Sequence, residues 1–140
     1  MEDKLSNKKK ILIIDDEDDY RQTLMDRLIF EGFEVIEALN GVSGIEMAEE
    51  AKPDLILLDL MMPVMNGYSC WANLRKDAFL KSIPVLILTA KMHAHDVFWG
   101  SSLPERDYIN KSISLNQLLR RIYEKMAESD DAKRLSAEIL

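Results

Sequence analysis

The chain has 140 residues and a formal net charge of −7, from 25 acidic and 18 basic side chains, a balance that disfavours direct binding to nucleic acid phosphates. Its length suits one domain with its own hydrophobic core, and its single cysteine, Cys70, excludes an intrachain disulfide. The chain has neither a signal-like start nor an apolar run long enough to span a bilayer, so we expect a cytoplasmic protein without membrane insertion.

Short apolar runs predict five β-strands, of which the last is the weakest. They are Ile11–Ile14, Glu34–Glu37, Leu55–Leu58, Val85–Leu88 and Tyr108–Ile109. Runs of this length, rich in Ile, Leu and Val and bounded by polar or turn residues, are typical of strands that are covered on both faces in a parallel sheet.

Helical patterns separate these strands, and another follows the last one. Their apolar positions recur at helical spacing: Leu24, Leu28 and Ile29; Ile45, Ala48 and Ala51; Trp71 and Leu74; and Leu115, Leu118, Leu119, Ile122 and Met126. Gly32 is placed to end the first helix, and Asn66 is placed to cap the third. The alternation of strands and helices predicts a doubly wound α/β fold around one parallel sheet.

The predicted elements lie within residues 9–127, which we interpret as one domain after an N-terminal tail over residues 1–8. Residues 128–140 are polar, but Ala132, Leu135 and Ile139 remain in loose helical register. We expect this segment to extend the last helix, to pack on the domain or to begin a linker.

Polar side chains stand where four of the predicted strands end. They are Asp15 and Asp16, then Asp59, then Thr89 and finally Lys111. Because ligands of doubly wound sheets bind outside the carboxyl ends of the strands, we expect these side chains to converge. Two carboxylates about 4 Å apart repel by roughly 4 kcal/mol at an effective dielectric constant near 20. A divalent cation would relieve that repulsion, and an all-oxygen site with few protein ligands suits Mg²⁺.

Each of these residues also has an ordinary structural explanation when it is taken alone. Aspartate is common in turns and helix caps, threonine in caps, and lysine on surfaces. The ordinary explanation does not account for all of them at the same edge of one sheet. The combination therefore favours a functional site.

The chain resembles the receiver domain of two-component response regulators over about residues 9–127. The matching segments are IDDED (14–18), LLDLMMPVMNG (57–67), LILTA (86–90) and YINKS (108–112). The intervals of 30 residues from Asp59 to Thr89 and of 22 residues from Thr89 to Lys111 agree with the spacing of that family. The resemblance implies a chemotaxis-regulator-like, flavodoxin-like (βα)5 fold with strand order 2-1-3-4-5.

The resemblance also implies which residues accept phosphate and which bind metal. Asp59 would accept a phosphoryl group from a phosphohistidine of a sensor histidine kinase or a phosphotransfer protein. Asp15 and Asp16 would hold Mg²⁺ directly or through water, together with Asp59 and the backbone carbonyl of Met61. The protein would catalyse only its own phosphorylation and dephosphorylation.

Further residues are implied to bind the phosphoryl group and to transmit its arrival. Lys111 would pair with Asp59 and then with the phosphoryl group, which the Thr89 hydroxyl and the Ala90 amide would also bind. Movement of Thr89 would leave space for Tyr108 to turn inward. This switch would alter a surface of the fourth and fifth strands and the helices that follow them. That surface would bind a downstream protein or form a phosphorylation-dependent homodimer.

Two departures from the family pattern keep other functions open. Ser112 stands where the family usually has a proline, and the peptide bond before that proline influences the direction of the Lys111 side chain. Residues 103–105 stand where the family usually has a Gly-Ala-Asp run. A pseudo-receiver that binds partners without being phosphorylated is therefore a second hypothesis. A phosphatase with an aspartate nucleophile is a third, although such enzymes need a second acid where this chain has Met61.

Overall fold

The computed structural model describes residues 8–62, 65–90 and 107–139. Strands and helices alternate along these residues: β1 (Lys10–Ile14), α1 (Asp18–Phe30), β2 (Glu34–Ala38), α2 (Gly41–Ala51), β3 (Leu55–Asp59), α3 (Gly67–Lys76), a 3₁₀ turn (Leu80–Ser82), β4 (Val85–Thr89), β5 (Tyr108–Asn110) and α4 (Leu115–Ile139). Each strand contains its predicted apolar run and is one residue longer. The family departure at residues 103–105 lies outside the described residues.

The strands form one parallel sheet in the predicted order, β2-β1-β3-β4-β5. The strand β1 lies beside β3, with Ile14 opposite Leu58, and β3 lies beside β4, with Asp59 opposite Leu88. The central strands therefore end at nearly the same level. Residues that follow them become neighbours at the carboxyl edge of the sheet.

Alternate strand residues face opposite layers, so each side of the sheet has its own hydrophobic cluster. Leu12 and Ile14 pack with residues of α2 and α3, a group we call the α2/α3 layer. Ile11 and Ile13 pack with residues of α1 and α4, the α1/α4 layer. All four side chains are fully buried, and each such burial is worth about 1.5–3 kcal/mol. The unbroken apolar runs thus follow from burial on both faces.

The helix ends follow the local sequence, with one difference from the predicted pattern. The Asn66 side chain accepts a hydrogen bond from the backbone N–H of Ser69 at 2.8 Å, as expected of an N-cap. Gly32 follows α1 at φ +100°, a conformation that suits glycine. Ile29 was predicted in the apolar stripe, but it is 55% exposed. The sheet-facing side of α1 is centred on Leu28, and the next residue turns about 100° away.

Helix α4 continues without a break to Ile139, beyond the last buried residue of its stripe, Met126. Residues 131–138 are exposed, so this part of the helix extends away from the sheet. Within the described ranges, no helix is both long enough and apolar enough to cross a membrane.

Candidate functional site

The first acidic side chains of the site stand directly after β1. Asp15 is fully buried, and its Oδ1 accepts a hydrogen bond from the backbone N–H of Glu17 at 2.8 Å. This short turn fixes the carboxylate and leads into α1. Asp16 lies between them and is exposed. The turn therefore presents one rigid, buried acid and one acid that faces solvent.

The third acid of the site, Asp59, is the last residue of β3 and is 3% exposed. Its Oδ1 accepts a hydrogen bond from the backbone N–H of Met61 at 3.2 Å. One carboxylate oxygen from each of Asp15, Asp16 and Asp59 lies within 4.8 Å of the other two. The structure thus brings together the three acids that the strand ends predicted.

Lys111 reaches these acids from the end of β5. Its Nζ lies 2.8 Å from Asp15 Oδ2, 3.0 Å from Glu17 Oε1 and 3.6 Å from Asp59 Oδ2, and 4.7 Å from the centre of the Tyr20 ring. The predicted pair with Asp59 is the longest of its three ion pairs. The contact with Glu17 was not predicted, although Glu17 belongs to the acidic run that follows β1.

The backbone around Lys111 explains this position without the usual proline. The N–H of Lys111 donates to the carbonyl of Thr89 at 2.9 Å, which prolongs the pairing of β5 with β4. The Lys111–Ser112 peptide bond is trans. Asn110 Oδ1 accepts a hydrogen bond from the N–H of Ser112 at 2.8 Å and closes the turn. A side-chain-capped turn therefore directs the lysine toward the acids.

The other predicted site residues lie at the same edge or in the core beside it. Thr89 ends β4 and is fully buried, and Ala90 follows it as an exposed residue. Met61 is 50% exposed, two residues after Asp59. Tyr108 is 4% exposed and packs in the α2/α3 layer. The ring of Tyr108 is therefore already buried in this conformation.

Burial and neighbouring charges both shift the pKa values of Asp59 and Lys111. The pKa of Asp59 is raised to about 7, first by burial and second by the nearby Asp15 carboxylate, while Lys111 opposes both effects. For Lys111, burial disfavours the charged form, but the ion pairs to Asp15 and Glu17 outweigh it and raise its pKa above the usual value. The single ammonium therefore does not fully compensate the acids around it.

The oxygen atoms of this cluster fit a magnesium ion. Asp15 Oδ2 is buried and forms an ion pair with Lys111. Within the described part of the chain, this oxygen accepts no hydrogen bond of good geometry. An oxygen with unused lone pairs, next to two further carboxylates, suits a hard cation with oxygen ligands. The cluster contains no cysteine or histidine, which would be expected at a zinc site.

Arg21 supports the β1–α1 turn and was not identified from the sequence. Its guanidinium donates to the backbone carbonyl of Asp15 at 2.9 Å, to Glu37 Oε1 at 2.7 Å and to Asp18 Oδ1 at 2.7 Å. It thereby ties the end of β1 to β2 and to α1. The available signal was its place in the stripe that includes Leu24, where a charged residue needs buried partners.

Comparisons with known proteins agree with this geometry. A family model described as the response regulator receiver domain matches residues 11–123. The protein PilH of Pseudomonas aeruginosa is 38% identical over 113 residues, which are 81% of this chain and 93% of PilH. The crystal structure of the response regulator protein TrrA of Thermotoga maritima, in complex with Mg²⁺-BeF, aligns with a TM-score of 0.72 at 28% identity, over 83% of this chain and 97% of that one.

Some relatives are much longer than this chain. The probable transcriptional regulator ycf27 of Porphyridium aerugineum is 38% identical over 125 residues, which are 89% of this chain but 51% of that protein. The chain thus spans about half the length of this relative, and the comparison concerns the shared region alone.

Proposed function

Because the chain belongs to the response regulator receiver domain family, we propose that it accepts a phosphoryl group on Asp59 from a sensor histidine kinase or a phosphotransfer protein. The observation that supports this most directly is the convergence of Asp15, Asp16 and Asp59 with Lys111 at one edge of the sheet. Phosphoryl transfer needs such a cluster, because its transition state is stabilised mainly by positioning and by opposite charge.

We propose that Mg²⁺ is held by Asp15, Asp16, Asp59 and the backbone carbonyl of Met61. The ion supplies positive charge that offsets the negative charge of the transferring phosphoryl group. The cluster of oxygen ligands supports this assignment, and so does the Mg²⁺ in the complex of the related TrrA protein.

A carboxylate oxygen of Asp59 attacks phosphorus as the bond from phosphorus to the donor's histidine nitrogen breaks. Asp59 becomes an acyl phosphate, and the leaving nitrogen takes up a proton from solvent. A carboxylate is a weak nucleophile, so the buried, fixed position of Asp59 matters more than its basicity. Lys111 then pairs with a phosphoryl oxygen, and the Thr89 hydroxyl and the Ala90 amide bind the other oxygens.

The arrival of the phosphoryl group is proposed to act through Thr89 and Tyr108 on the surface formed by β4, β5 and the helix that follows β5; the expected helix after β4 lies outside the described residues. This surface would bind a downstream protein in the cytoplasm or a second phosphorylated copy. Support comes from position, because Thr89 ends β4 beside Asp59 and Tyr108 begins the neighbouring strand.

The test is phosphate incorporation, followed by intact mass. The protein is incubated with Mg²⁺ and acetyl phosphate, and we expect one added phosphate that chelation of Mg²⁺ prevents. The variant Asp59→Ala should take up none, whereas Asp19→Asn, at an exposed acid nearby, should behave like wild type. Turnover of unrelated phosphomonoesters would instead indicate a phosphatase. Lack of incorporation from acetyl phosphate and from kinases would indicate a pseudo-receiver.

A further inference from the structure

We propose that Glu17 is a positioning residue that retains Lys111 in the unphosphorylated protein and competes with the phosphoryl group for it. This proposal rests on the proposed function, since it concerns the capture of the same phosphoryl group. It assigns a role to the third acid of the run after β1, which the phosphoacceptor and metal assignments leave without one.

The ammonium of Lys111 has few free directions in this conformation. Three carboxylate oxygens surround its Nζ: Asp15 Oδ2 at 2.8 Å, Glu17 Oε1 at 3.0 Å and, at 3.6 Å, Asp59 Oδ2. Of these, Glu17 Oε1 accepts a hydrogen bond from the ammonium. The Tyr20 ring covers a further side at 4.7 Å, and the Lys111 side chain is 10% exposed. A phosphoryl oxygen on Asp59 must therefore compete with Asp15 and Glu17 for the ammonium.

Of the two acids that remain beside Lys111 once Asp59 carries the phosphoryl group, Glu17 is the one that can leave more easily. The Asp15 carboxylate is fully buried and is fixed by the hydrogen bond from the N–H of Glu17. The Glu17 side chain, by contrast, is 59% exposed, so that it can turn into water without being buried unpaired. Release of Glu17 from Lys111 is thus the step that makes the lysine available.

The Glu17 carboxylate is not engaged in holding the helix. Glu17 occupies the N-cap position of α1, but its side chain makes no capping hydrogen bond there. Its backbone N–H bonds to Asp15, and its backbone carbonyl accepts from the N–H of Arg21 at 2.9 Å. Glutamine at this position keeps both backbone contacts and nearly the same side-chain size, while it removes the charge that attracts Lys111.

The experiment compares Glu17→Gln with wild type in two measurements at fixed Mg²⁺. These are the rate of phosphorylation of Asp59 by acetyl phosphate and the dissociation constant for Mg²⁺ with beryllofluoride, which needs no chemical transfer. We expect a rate about two to five times higher and a dissociation constant lower by a similar factor, the range for one partly exposed ion pair. A gain of function of this kind cannot come from partial unfolding.

Asp19→Asn is the matched control, because it removes the same charge from an exposed side chain in the first turn of α1 that does not contact Lys111. The role of Glu17 would be overturned if Glu17→Gln is phosphorylated no faster than wild type or Asp19→Asn, or binds beryllofluoride no more tightly than they do. If the wild type binds beryllofluoride but is not phosphorylated, the proposed function fails while the beryllofluoride comparison still decides the role of Glu17. A wild type that does neither overturns both proposals.

Discussion

Asp59 sits in surroundings that disfavour its own negative charge. Its pKa is raised from 3.8 to about 7 by burial first and by Asp15 second. Between about pH 4 and pH 7 the folded protein therefore holds a proton that the unfolded chain has released. It follows that the contribution of Asp59 to the free energy of unfolding is largest at low pH and decreases as pH rises through this range.

Replacement of Asp59 by asparagine should therefore stabilise the metal-free protein near neutral pH. We expect Asp59→Asn to raise the free energy of unfolding at about pH 8 by something on the order of 1–3 kcal/mol. The gain should shrink toward zero as the pH is lowered to about 4. Urea unfolding measured across this range tests the expectation, with Asp19→Asn as the control. A gain that does not depend on pH would contradict the assigned pKa.

At the scale of single elements, the start of α3 packs closely against the end of β3, backbone to backbone. A Cβ atom at Gly67 would lie 2.5 Å from the carbonyl oxygen of Asp59 and 2.6 Å from Leu60 Cα, both backbone atoms. The N–H of Gly67 also donates to the carbonyl of Leu60 at 2.9 Å. The missing side chain thus allows the helix to begin directly beside the phosphoacceptor.

Alanine at position 67 should therefore disturb the site as well as the fold. We expect Gly67→Ala to lower the free energy of unfolding by about 1–3 kcal/mol and to weaken Mg²⁺ binding, because the displaced backbone carries Asp59. Urea unfolding and Mg²⁺ titration measure the two effects. Gly32→Ala is the control: its positive φ makes alanine unfavourable, but it lies away from the site and should leave Mg²⁺ affinity unchanged. Unchanged affinity in Gly67→Ala would contradict this account.

The sequence predicted all five strands to within one residue, including β2, most of whose residues are exposed or half-buried. The runs in β1 and β3 were located to within one residue, because strands covered on both faces are apolar at every position. The strand order came from the family resemblance and was confirmed. The contact of Lys111 with Glu17 was not predictable, since it depends on how the turn after β5 directs a long side chain across the sheet edge. The place of Arg21 in the stripe of α1 signalled a need for buried partners, but not that one of them is the backbone carbonyl of Asp15.

At the scale of the whole molecule, the acidic cluster exists only when the sheet has formed. Asp15 and Asp59 belong to different strands and become neighbours through the pairing of β1 with β3. A cation bound by both therefore binds the folded state and not the unfolded chain. Binding of that kind stabilises the fold by mass action.

Mg²⁺ should accordingly raise the unfolding temperature, and above the dissociation constant the gain should keep growing with the logarithm of the free Mg²⁺ concentration. The expected gain is about 2.7 kcal/mol when the free ion is at 100 times its dissociation constant. It should decrease below about pH 7, because protonation of Asp59 competes with the ion. Thermal unfolding over a range of Mg²⁺ concentrations, at constant ionic strength, measures it. The variant Asp15→Asn should show a smaller gain, and an equal gain in this variant would place the ion elsewhere.

Neighbouring residues of β5 belong to separate hydrophobic clusters, Tyr108 to the α2/α3 layer and Ile109 to the α1/α4 layer. Among the described residues, no strand side chain belongs to both clusters, so the sheet separates the two clusters from each other. Side chains of one cluster can therefore be replaced without direct contact with those of the other. Mutations can accordingly accumulate on the two sides at different rates, and a lineage can acquire a new binding preference on one side without rebuilding the other.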